Sequence, residues 1–66
     1  MTQPEFRSTL KALGMSQREL ARRLGVAVST VSAWATGKTP VPTYVPVYFA
    51  LLSDYLTLLN VHMSGV

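Results

Sequence analysis

The 66-residue chain carries six Lys and Arg, three Asp and Glu, and one His. Their spacing decides which chemistry they could share. Glu5, Glu19, Asp54 and His62 fall on separate segments and form no acid–base or nucleophile arrangement, so no catalytic residue is assigned and no enzyme is expected. With no Cys and a single His, no metal-ligand set exists in the sequence, and no cofactor or small-molecule ligand is expected. What remains is the stretch "SQRELARRLGVAVSTVSAWATGKTP", residues 16–40, which holds Arg18, Arg22, Arg23 and Lys38 together with the hydroxyls of Ser29, Thr30, Ser32 and Thr36. Guanidinium, ammonium and hydroxyl donors are the groups that bind phosphate oxygens.

Charge is also unevenly placed. Residues 1–42 contain all six Lys and Arg against Glu5 and Glu19, a balance of +4, whereas residues 43–66 contain only Asp54, a balance of −1. The basic part favours a polyanion, and the oily part favours a core or a partner. The most apolar window, Tyr44 to Val61, is broken by Ser53, Asp54, Thr57 and Asn60, which argues against a membrane span. No signal pattern opens the chain, and a cytoplasmic location is expected. A chain of this length buries only about 60% of its unfolded surface, so its one small core invites support from a second copy.

The elements that must hold the polar stretch are short. Thr2-Gln-Pro-Glu5 reads as a capping box with Pro4 in the first turn, and Phe6, Leu10 and Leu13 then share one helical face up to Gly14. Ser16-Gln-Arg-Glu19 reads as a second and stronger capping box, with Met15 and Leu20 placed for a hydrophobic staple. In this second helix Leu20, Ala21 and Leu24 face inward and Arg18, Arg22 and Arg23 outward, and Gly25 stops it. A third helix spans roughly Val28 to Thr36, closed by Gly37. Val31, Trp34 and Ala35 lie on its inner side, and Ser29, Thr30, Ser32, Ala33 and Thr36 on its outer side. Helices this short are marginal alone and must be held by packing. Lys38-Thr-Pro-Val-Pro42 is an extended connection, and a fourth helix follows over 43–60 with Thr43 as cap.

Two short helices joined by a Gly-led turn, the second small and polar outside, meet the demands of a helix-turn-helix over residues 16–37. Ala21 is small where the helices cross, Gly25 supplies a positive φ, and Val26 plugs the turn. "LGMSQRELARRLGVAVSTVSAWATGKTP" resembles the helix-turn-helix of the phage repressor and Cro-like DNA-binding family, and the similarity extends over about residues 5–59. The resemblance implies an all-α fold, a compact lambda-repressor-like bundle of four or five helices, with residues 1–66 forming a single domain. It also implies double-stranded DNA as partner. Val28, Ser29, Thr30, Ser32 and Ala33 then stand at base-reading positions, and Gln17, Thr36 and Lys38 at phosphate positions, with Arg18 and Arg22 adding phosphate contacts. Two positions depart from the family. Val28 stands where many relatives carry a Gln that reads adenine, so it offers a methyl contact and no hydrogen bond. Ala27 replaces the usual Ser cap of the third helix, at a cost of about 1 kcal/mol.

The fourth helix puts Val45, Tyr48, Leu52, Leu56 and Leu59 on one face, enough to close the core. Tyr44, Phe49, Leu51, Tyr55 and Leu58 lie off that face with no Lys or Arg beside them, and are expected to form a homodimer interface. A twofold pair would set two reading helices about 34 Å apart on an inverted repeat. The expected function is a sequence-specific, nucleoid-associated transcription regulator, a repressor of phage or prophage type. The competing expectation is a protein-interaction adaptor that keeps the fold without reading DNA. Trp34 is expected in the core, Glu19 as a cap, and His62 in solvent.

Overall fold

A computed structural model describes residues 1–64, with side chains described through Leu59. Four helices follow one another: α1 (Gln3–Ala12), α2 (Gln17–Leu24), α3 (Val28–Thr36) and α4 (Tyr44–Ser64). The expected all-α architecture is found. The fourth helix runs four residues beyond its expected end, and His62 lies outside the described side chains.

Local chemistry sets the ends of these helices. Thr2 caps α1 with a complete capping box: Glu5 N–H donates to Thr2 Oγ1 at 3.3 Å, and Thr2 N–H donates to Glu5 Oε1 at 3.1 Å. Ser16 caps α2 by accepting from Glu19 N–H at 3.0 Å, but the reciprocal bond is not made. The ranking of the two boxes is therefore reversed. Glu19 turns instead along its own helix toward Arg23, 3.8 Å away, an i,i+4 pair that competes for the carboxylate. Gly25 ends α2 at φ 73°, and Val26 N–H closes the turn on Ala21 O at 3.0 Å.

The core is built from Phe6 and Leu10 of α1, Met15, Leu20 and Ala21, Val31, Trp34 and Ala35 of α3, and Val45 and Phe49 of α4. Phe6 sits at its centre. The Trp34 ring meets it edge-on at a centroid distance of 6.0 Å and 88°, and Phe49 lies against it at 6.0 Å and 37°. Trp34 is thus a core residue, as expected. Among the described residues, no buried side-chain nitrogen or oxygen lacks a hydrogen-bond partner.

The inner face of α4 differs from expectation. Phe49, expected at a dimer interface, is buried against Phe6, while Leu56 and Leu59, expected to close the core, are exposed. The cause is reach. The three short helices form a body that covers α4 only through its first turns, where Val45, Phe49 and Leu52 share one side at helical spacing. Beyond Leu52 the helix leaves the body, which accounts for a molecule 45 Å long and only 21 by 18 Å across.

Candidate nucleic-acid interface

Helix α3 owes its position to three anchors. Val31, Trp34 and Ala35 bury its inner side, and α2 packs against it with Ala21 buried, whose single methyl group permits a close approach. The third anchor was not visible in the sequence. Gln3, in the first turn of α1, donates Nε2–H to Ala35 O at 2.8 Å and so satisfies a carbonyl of the last turn of α3. A glutamine in a first turn carries no mark of a bond to a residue 32 positions away, so no local pattern could have shown it.

The outer side of α3 is set out as follows. Val28, Ser29 and Thr30 are exposed, Val28 at 45%. Ser32 and Ala33, expected as readers one turn later, are half-buried. The connection after α3 folds back at this point, with Thr39 N–H donating to Ala33 O at 3.2 Å. The exposed surface is therefore weighted to the helix N-terminus. That terminus has no side-chain cap, because Ala27 stands at the cap position, so its first N–H groups are left to other acceptors.

Around α3 stand the residues expected at phosphates. Gln17 begins α2 and is exposed, as are Arg18 and Arg22 on its outer side and Lys38 just beyond α3. Thr36 is exposed, but its hydroxyl donates to Ser32 O at 3.0 Å. That single proton is already used within the helix, so a bond to phosphate requires the hydroxyl to rotate away. Arg23 points elsewhere. The Tyr48 hydroxyl, and to a lesser degree Glu19 at 3.8 Å, raise its already high pKa. Gln17, Arg18, Arg22, Lys38 and the N-terminal outer residues of α3 are thus all exposed.

The five residues expected at a dimer interface divide. Tyr44, Leu51, Tyr55 and Leu58 are exposed, with Leu51 at 64% and Leu58 at 67%, whereas Phe49 is core. No described helix is long and apolar enough to cross a membrane.

A family model described as Helix-turn-helix matches residues 6–43, more than half of the chain. No curated protein and no solved structure matches it. The matched span begins at Phe6 within α1, takes in α2, the Gly25 turn and α3, and ends at Thr43 just before α4. The chain belongs to the phage repressor and Cro-like helix-turn-helix family, a family of DNA-binding transcription regulators.

Proposed function

We propose that the protein is a sequence-specific regulator that binds double-stranded DNA as a homodimer, reads an inverted repeat and acts as a repressor. The observation that carries this reading is the outer side of α3. It presents Val28, Ser29 and Thr30 to solvent beside an uncapped helix N-terminus, flanked by Gln17, Arg18, Arg22 and Lys38. A helix with small side chains outside can enter a major groove closely, and the flanking donors suit the phosphates on either side. Val28 and the Thr30 methyl would contact thymine methyl groups, and Ser29 would bond a base edge. Ser32 and Ala33 play a lesser part because they are half-buried. With no Arg, Lys, Asn or Gln on this face, each half-site is read thinly, and a dimer adds the free energies of two half-sites. The chain acts as one domain in the cytoplasm, associated with the nucleoid.

The test is selection of bound duplexes from a random pool at physiological salt. The expected result is enrichment of an inverted repeat with half-site centres about 34 Å apart. Binding without enrichment would replace this reading with sequence-blind coating. The charge-free α3 face and the exposed apolar side of α4 favour a second reading, a protein-interaction adaptor. Salt separates the two, since a DNA binder with several phosphate contacts loses affinity steeply as salt rises and an apolar adaptor does not.

A further inference from the structure

Besides Leu56 and Leu59, which continue the core side of α4, five exposed apolar residues of this helix form one row: Tyr44, Val47, Leu51, Tyr55 and Leu58. Their spacing is three, four, four and three residues. Two properties follow from those intervals. Tyr44 and Tyr55 are eleven residues apart, as are Val47 and Leu58, and an eleven-residue repeat stays nearly in line along an α-helix. The row therefore runs parallel to the axis of α4, roughly 130° round the helix from the core residues Val45, Phe49 and Leu52. The intervals also read the same from either end, with Leu51 at the middle.

We propose that this row is the surface on which two copies of the chain pair, with their α4 helices antiparallel and Leu51 packed on Leu51 at the twofold axis. The inference rests on the homodimer reading above and adds its geometry. A row with mirror-symmetric spacing meets itself in register when one copy is reversed, and such a pairing is isologous, as a twofold interface must be. Reversal about Leu51 sets Tyr44 against the partner's Leu58 and Val47 against the partner's Tyr55. Each large ring then meets a smaller aliphatic side chain, and the facing volumes are even along the row. A parallel pair would set Tyr44 on Tyr44, Tyr55 on Tyr55 and Val47 on Val47, alternating crowded levels with thin ones.

Burial favours the same arrangement. Each of the five is half exposed or more, so covering them on both copies would remove at most on the order of 1,000 Å² from water, near the size at which specific interfaces begin. The end of α4 beyond Leu52 has no body beneath it. Antiparallel pairing lays that end beside the partner's first turns of α4, next to the ring of Tyr44 that leans on Trp34 at 6.3 Å. Parallel pairing would leave both ends touching only each other.

The chain contains no Cys, so engineered disulfides report the arrangement without background. Under mild oxidation of the full chain, Leu51→Cys is expected to form a covalent dimer. A mixture of Tyr44→Cys and Leu58→Cys is expected to give a mixed covalent dimer at least tenfold in excess of what either gives alone. Val47→Cys mixed with Tyr55→Cys provides the same readout if loss of the Tyr44 ring disturbs Trp34. Self-linking of Tyr44→Cys or of Val47→Cys, without mixed products, would overturn the antiparallel arrangement and leave the dimer standing. A wild-type chain that sediments as a monomer at every concentration, together with no cross-link at residue 51, would overturn the dimer as well.

Discussion

Gly37 is where the end of α3, the base of α1 and the approach to Lys38 meet, and its replacement by Ala isolates that junction. The residue sits at φ 82°, where a side chain costs about 1–2 kcal/mol. A Cβ built there would also stand 3.0 Å from Gln3 Oε1, so the end of the Gln3 side chain must shift by a few tenths of an ångström. That side chain holds the 2.8 Å bond to Ala35 O, whose loss costs about 1 kcal/mol. Gly37→Ala is therefore expected to destabilise by about 1–3 kcal/mol, the dihedral cost plus up to the whole of the hydrogen bond that the shift strains. Gly25 provides the control. It has φ 73° and open space where a Cβ would go, so Gly25→Ala is expected to show only the dihedral cost, about 1–2 kcal/mol. Urea unfolding followed through the single Trp, at one fixed protein concentration, measures both. A double-mutant cycle with Gln3→Ala should then show that the two changes are not additive, because both act on the same bond. Equal destabilisation by Gly37→Ala and Gly25→Ala, with an additive cycle, would refute the claim that Gln3 anchors the end of α3.

Three further outcomes are expected. Phe49→Ala should cost about 3–5 kcal/mol of stability, as expected for a ring taken from a core, whereas Leu51→Ala should leave the protomer intact and weaken self-association in sedimentation. Ala27→Ser should raise stability by about 1 kcal/mol in urea titration by supplying the missing cap of α3, and a null result would mean that the first turn is already satisfied otherwise. Glu5 accepts hydrogen bonds from Thr2, first from its side chain and then from its backbone N–H, and is held below the usual carboxylate range. A carboxyl lowered on folding stabilises the native state above its unfolded pKa and loses that contribution as pH falls through its native one. Thermal stability should thus decline on acidification below about pH 4.5, and Glu5→Gln should remove part of that slope.

Most of the body was legible in the sequence because its signals are local. A cap depends on a side chain and an N–H three residues on, as at Thr2 and Ser16, and a glycine stop depends on one dihedral, as at Gly25 and Gly37. The spacing of Leu20, Ala21, Val31 and Trp34 encodes a helix crossing, so the helix-turn-helix and its family were legible in the sequence, although Ser32 and Ala33 proved half-buried rather than outward. Even among the local signals, competition hid one outcome. Glu19 is placed for a capping box and for an ion pair with Arg23, and the residue types do not say which it makes.

What only the tertiary structure decided lies on α4 and at the two ends of α3. Periodicity locates a buried face only when apolar and polar residues alternate with the helix turn. Residues 44–59 are apolar on nearly every side, so the faces through Tyr48 and Leu56 and through Phe49 compete equally. Contact with Phe6 chose Phe49, and the short span of the body left Leu56 and Leu59 uncovered. The bond from Gln3 to Ala35 is likewise decided by segments distant along the chain. Local bonds and dihedrals are written residue by residue, whereas the choice among equivalent apolar faces is made only when the other helices arrive to cover one of them.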